Sequence, residues 1–308
     1  MSNTAPAAIA VGERKLALIV GGTGKGIGYG IAHELLTCGE ACDVVIIGRD
    51  AGRGQEAARR LREAAAGRGS VEFCSVDCFA LANVRAFCET FRAKHARLDL
   101  LVMAPGRFIL KQRDNGEGLD VKLVINYFAR VAFALLLAPL LDRSADPRVL
   151  TCLSAGVHKP YRHYETDFEL RHHYSLGNAA DAAGFYNDLA FDALSRDHPR
   201  WVVAHVAPGI VATNWALDMP CCIRGLLCPV LACCAKPPER AGALLAPPLL
   251  APRFREQLEA RGGGFFTLGE RSQEVRRTSA HDEARPRVWE LTLAALKERG
   301  VVPPSNSS

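Results

Sequence analysis

Six short apolar runs rich in β-branched residues recur along this chain, and between them lie amphipathic stretches with helical spacing. Such alternation leaves few folds open, because strands that are apolar on both faces must be covered on both faces, which a parallel sheet with crossover helices achieves. The runs are KLALIV (15–20), DVVIIG (43–48), VEFCSV (71–76), LDLLVM (98–103), RVLTCL (148–153) and WVVAHV (201–206), with GFFTL (264–268) as a seventh candidate. The intervening helices are expected in GQEAARRLREAAA, ANVRAFCETFRAK, LDVKLVINYFARVAFALLLAPLL and AADAAGFYNDLAFDALSRD. The expected fold is α/β, a single doubly wound parallel-sheet (Rossmann) domain over residues 15–300. Residues 1–14 and 301–308 are expected to be disordered ends.

The turn after the first run, GGTGKGIGYG, carries the strongest chemical signal. Gly22, Gly26 and Gly28 fit a G-x-x-x-G-x-G spacing between a strand and a helix, with a second register through Gly21. Glycine there permits positive φ and removes the Cβ atoms that would hold a diphosphate away, while the first amides of the helix, from Ile27 onward, attract the anion. The second run ends in Gly48, Arg49 and Asp50. At that strand end an acidic residue would accept from a ribose 2'-hydroxyl, whereas an Arg would pair with a 2'-phosphate, so Arg49 points to NADP over NAD.

Composition narrows the function classes. The net charge of +5 comes from 38 basic and 33 acidic residues without a dense Lys/Arg block, so a nucleic-acid partner is not expected. No stretch reaches the roughly 18 to 20 uninterrupted apolar residues of a membrane span, and the N-terminus lacks a secretory pattern, so a cytoplasmic protein is expected. The eleven cysteines then read as thiols, mostly buried; the cluster Cys221, Cys222, Cys228, Cys233 and Cys234 has neither C-x-x-C spacing nor a nearby His pair, and no metal is expected.

With these motifs the chain, from about residue 15 to 215, resembles the short-chain dehydrogenase/reductase superfamily. The resemblance implies that Asp77 of SVDC holds the adenine ring and that Gly106 of LVMAPG lines the cofactor. It further implies that Asn126 of VINYF bends the long helix and joins a proton relay, and that Ser154 of RVLTCLSAG is the catalytic serine. Pro208, Gly209 and Thr213 of VAPGIVAT would lie near the nicotinamide. Two features depart from the family. Met103, Ala104 and Pro105 stand where Asn-Asn-Ala is usual, and no Tyr in the chain has Lys four residues on. Counting back from Pro208 puts the Tyr position near Ala180 and the Lys position near Gly184. Segments around YSLGNA and FYNDL resemble a divergent fungal-type subgroup in which this pair is also altered.

The missing pair has a physical task, since a phenol must trade a proton near neutral pH and a neighbouring ammonium lowers its pKa. Tyr174 is the named substitute, with Asn178 four residues on; Tyr186 reads as packing. The histidines His158, His163, His172 and His173 follow Ser154 in a long insert and titrate in the useful range. After Thr213 the segment 214–238 is apolar and broken by prolines, which suits a lid over a greasy pocket; a homodimer contact or peripheral membrane contact would use the same composition. The function expected is NADP(H)-dependent interconversion of a carbonyl and a primary or secondary alcohol on a lipophilic small molecule, with secondary metabolism as one setting. The alternative is a cofactor-binding scaffold or regulatory protein with impaired catalysis.

Overall fold

The computed structural model describes residues 14–107, 109–213, 234–275 and 277–302. The expected ends, apart from Arg14, Val301 and Val302, and most of the expected lid, including Cys221, Cys222, Cys228 and Cys233, lie outside the described residues. Val301 is a correction to the frayed tail: it is buried, and its N–H donates to Leu296 O.

All seven apolar runs are strands of one parallel sheet: β1 (Lys15–Val20), β2 (Cys42–Gly48), β3 (Val71–Ser75), β4 (Leu100–Met103), β5 (Arg148–Cys152), β6 (Val202–Val206) and β7 (Phe265–Leu268). Their spatial order is β3-β2-β1-β4-β5-β6-β7. The strand order reverses its march across the sheet between β1 and β4, which opens a crevice beyond their carboxyl ends. The register brings Val20 beside both Ile47 and Met103, and Cys152 beside Val206, so every loop with a candidate residue leaves the sheet at the same edge.

Helices α1 (Ile27–Cys38), α2 (Ala51–Ala65), α3 (Leu81–Lys94), α4 (Val121–Leu141) and α5 (Leu176–Asp197) cross between the strands. Alternate strand residues face opposite ways. Leu18, Val45, Leu101, Val149 and Val203 pack with α3, α4 and α5, while Ile19, Ile46, Val102, Leu150 and Ala204 pack with α1 and α2. By length and composition α4 could cross a bilayer, but 89% of its apolar window is buried in the protein, where it is a core helix.

β4 starts two residues later than the sequence suggests, because Asp99 has another task. Its carboxylate accepts from Leu16 N–H at 2.8 Å and from Ser144 Oγ at 2.6 Å, tying the start of β1 to the end of the α4–β5 loop. The C-terminal extension is helical: α6 (Pro238–Leu245), α7 (Pro247–Leu250), α8 (Pro252–Arg261) and α9 (Ser279–Glu298). α6 lies directly on α1, where a Cβ on Gly30 would come within 1.8 Å of Pro238 O. α9 packs on α5 and carries His281 and Arg285, one turn apart, onto Asp188 and Asp192 of that helix.

Candidate active site

At the end of β1, Gly21 has φ 84°, and a Cβ there would meet Pro105 N at 2.7 Å. A Cβ on Gly28 would meet Gly21 O at 2.7 Å. These two glycines therefore let the turn fold tightly onto the β4 loop and onto itself. Gly26 differs: a Cβ would meet only Thr23 O, at 3.9 Å, so its surface faces open space. Gly26 is also the N-cap of α1 and supplies no side-chain cap, and the first donor inside the helix is Gly30 N–H to Gly26 O. The amides ahead of it, from Ile27, are those a helix leaves unpaired, and they border this gap. Bare amides beside an open glycine fit a dinucleotide's diphosphate.

Arg49 follows β2 and lies over the Phe79 ring, 5.4 Å from its centroid. With Asp77, Arg113 and Asn115 it lines a cleft of about 540 Å³. Asp50 is engaged elsewhere, capping α2 through Arg53 N–H at 2.9 Å and pairing with the Arg53 guanidinium at 3.0 Å. Those contacts hold its carboxyl below the usual range. Asp77 accepts from Phe79 N–H at 3.1 Å, which fixes the loop after β3.

Ser154 leaves β5 at the same edge. Its hydroxyl oxygen is buried and has no hydrogen-bond partner among the described residues. Asn126 lies in a π-helical turn, Val124–Phe128, and Gly106 faces it, a Cβ there lying 3.8 Å from Asn126 Oδ1. The extra residue in the turn turns the Asn126 carbonyl toward α5, where it accepts from Asn187 Nδ2 at 2.8 Å. Asn187 Oδ1 in turn accepts from Thr151 Oγ1 at 3.3 Å.

Behind this network Arg130 is fully enclosed. Its guanidinium donates to Met103 O at 3.0 Å, Cys152 O at 2.9 Å, Pro105 O at 2.5 Å and Thr151 Oγ1 at 2.8 Å. It thus joins the ends of β4 and β5 where the sequence lacks the usual Asn-Asn-Ala amides. Burial pulls its pKa down to about 10, so it stays charged at neutral pH, its charge met by carbonyl dipoles.

The backbone of Ser154 is held from the other side. Its N–H donates to His205 Nε2 at 3.2 Å, so the ring proton sits on Nδ1 and goes to Asp188 Oδ1 at 2.7 Å. Asp188 also accepts from Gly156 N–H at 3.3 Å and lies 3.5 Å from His281 Nε2. Burial opposes its ionisation, but the two rings prevail and hold Asp188 down to about 2.

The sequence-named proton donors are spread apart. Tyr174 precedes Ser175, the N-cap of α5, and Asn178 Nδ2 donates to His173 O at 2.7 Å, so the expected pairing of Tyr174 and Asn178 on one helical turn does not form. The Tyr174 hydroxyl is buried without a partner among the described residues, and burial, then Asp120, push its pKa up. Tyr186 is a packing residue as expected, donating to Phe168 O at 3.2 Å. His163 stacks on His173, whose Nδ1 lies 3.0 Å from Asp167. Pro208 and Gly209 form the turn after β6, and Gly209 has φ 65°. Thr213 closes the described part of this loop, its N–H donating to Val211 O at 2.8 Å.

A family model for short chain dehydrogenases matches residues 15–218. The chain belongs to the short chain dehydrogenase family. Among relatives of this family, Oxidoreductase AN1596 of Emericella nidulans is 32% identical over 199 residues, covering 64% of this chain and 59% of that protein. Retinol dehydrogenase 14 of Mus musculus is 29% identical over 212 residues, covering 64% and 61%. The match therefore spans less than two thirds of either relative. A short chain dehydrogenase of Shigella flexneri 2a, solved as a complex with NADP, superposes with a TM-score of 0.57 at 18% identity, covering 78% of this chain and 93% of that one. Within the family frame, the residues that sequence reasoning missed are Arg130, Asn187, Asp188 and His205. Each is a polar residue inside an otherwise apolar run, and that was the available signal, since such groups persist in a core only when bonded.

Proposed function

We propose that the protein is an NADP(H)-dependent oxidoreductase that interconverts a carbonyl and an alcohol on a lipophilic small molecule. The observation that carries this reading is the Ser154 hydroxyl, buried and without a partner among the described residues, at the sheet edge that also bears the open glycine turn. A buried hydroxyl left without a partner costs stability unless a ligand supplies one, and a substrate oxygen is the group it suits. Ser154 would donate to that oxygen, and Asn126 would stand on the route by which protons reach it. Gly22, Gly26, Ile27, Gly28, Asp77, Gly106, Pro208, Gly209 and Thr213 would line the dinucleotide, whose chemistry is hydride transfer. Arg49 supports NADP over NAD, because its guanidinium is stacked on Phe79 while Asp50, the competing ribose acceptor, is committed to Arg53. The apolar composition after Thr213 and the retinol named by a relative support a lipophilic substrate.

The second reading, a nucleotide-binding scaffold, draws on the absence of Tyr-x-x-x-Lys from the sequence. Fluorescence titration with NADPH and NADH, followed by assays with decanal and retinal on wild type and Ser154→Ala, separates the two. Turnover lost in Ser154→Ala is expected. NADPH binding with no turnover of either aldehyde by the wild type would favour the scaffold, and no nucleotide binding would defeat both.

A further inference from the structure

We propose that His158, seated by Asp181 in the space that Gly184 leaves open beside Ser154, gives and takes the proton at the substrate oxygen. The proposal rests on the oxidoreductase reading above and names the donor that reading lacks. A Cβ built on Gly184 would lie 2.7 Å from His158 Cδ2 and 2.9 Å from Ser154 Oγ. His158 Cδ2 and Ser154 Oγ thus both border the space of one missing methyl group. Any other residue at 184 would push the ring away, since the clash also reaches His158 Cβ at 3.1 Å and leaves the ring no simple retreat.

The ring is oriented as well as placed. His158 Nδ1 lies 3.2 Å from Asp181 Oδ1, one turn before Gly184 on α5. With Nδ1–H directed to that carboxylate, Nε2, the neighbour of Cδ2, is the atom free to exchange a proton, as in other base-and-orienter pairs. The side chain is 28% exposed, so the ring can be recharged from water.

Its competitors are otherwise engaged. His163 and His173 stack together over Asp167, His205 is bonded to Asp188 and Ser154 N–H, and His281 caps α9 through Thr278. Tyr174 is shifted in the wrong direction for an acid. The charged groups facing His158 are Asp181 from α5 and, through Gly156 N–H, Asp188, whose carboxylate His205 and His281 already engage; Lys159 is its chain neighbour and exposed.

In the reducing direction, a bound reduced nicotinamide would supply hydride to the carbonyl carbon, and the C–O π pair would move to oxygen. That oxygen takes the proton from Nε2 of the imidazolium, and the neutral imidazole regains one from water. Oxidation runs the same transfers backward.

The test uses the full chain with NADPH and decanal or retinal. Aldehyde reduction should fall as pH rises, because the imidazolium is the donor. His158→Gln should lower kcat by about 10²-fold or more and flatten that fall, with NADPH affinity unchanged. Asp181→Asn, which removes the carboxylate that orients the ring, should give a smaller loss of rate. A second readout needs no turnover: in apo protein carrying ¹⁵N-histidine, the His158 ring should show Nδ1–H, and both Asp181→Asn and Gly184→Ala should shift its resonances. Wild-type rate and pH profile in His158→Gln, or a ring insensitive to both substitutions, overturns the proposal while the oxidoreductase reading stands. Absence of turnover by the wild type with both aldehydes overturns that reading and the role of His158 with it.

Discussion

The two halves of the crevice are built from different materials. On the cofactor side, between β1 and β3, the shaping groups are backbone: glycines that fold the turn, helix amides, and strand ends set by register. On the catalytic side, from β5 to α5, they are buried side chains that arrive from separate parts of the chain, namely Arg130, Asn187, Asp188, His205 and His281. A backbone cradle depends on local sequence and tolerates change around it. A side-chain network fails when one member goes, since each removal strands its partners. The catalytic half should therefore be the fragile one, and substitutions in the two halves should differ in what they damage.

Arg130→Met offers the largest contrast. It would leave the Met103, Pro105 and Cys152 carbonyls buried without donors, and Thr151 Oγ1 with them. At 1–3 kcal/mol for each stranded group, partly relieved by rearrangement, a loss of about 4 kcal/mol is expected. Urea unfolding with an unchanged slope should report it. A loss under about 1 kcal/mol would show that the β4 and β5 ends do not need the guanidinium, and the comparison would break.

Asp188→Asn comes next and has a signature in pH. The native carboxyl is held to about 2, below the ordinary carboxylate value, so its contribution is present above about pH 4 and is lost as pH falls toward 2. That contribution is about 2 kcal/mol. The variant should lose about this much at neutral pH and should destabilise less steeply than wild type between pH 4 and 2. Thermal melts across that range decide it. Parallel curves for the two proteins would mean that Asp188 does not hold the His205 and Ser154 backbone as an ion.

The same contrast explains what could be read from sequence. Strand positions and the glycine turn follow from local periodicity and spacing, and Ser154 from the family resemblance; the structure puts the turn and Ser154 at one sheet edge. Arg130 shares a largely apolar 21-residue helix with Lys122 and Asn126, so periodicity absorbed it, although a cation in the middle of such a helix must be buried and bonded. His205 inside VVAHV and Asp188 inside FYNDL carried the same sign, but their partner His281 lies on α9, in the extension where no helix was expected. Pro286 inside α9 blurs its helical pattern. His158 was legible only as one of four histidines, because what singles it out is an absence, the hydrogen side chain of Gly184, which acquires meaning only once α5 packs against the β5 loop.

Arg49→Ala should have the smallest effect, and one confined to a ligand. The guanidinium lies on Phe79 with a relative exposure typical of a surface group, so the melting temperature of the apo protein should not move. NADPH affinity should fall about tenfold, near 1.4 kcal/mol, through loss of a charge-assisted contact to the 2'-phosphate, while NADH affinity stays within about twofold. Asp50→Ala is the counterpart: removing an N-cap should lower stability and should leave the preference for NADPH intact. Equal losses for both nucleotides in Arg49→Ala would remove the basis for NADP, and a selective loss of NADH binding in Asp50→Ala would transfer the ribose contact to that carboxylate.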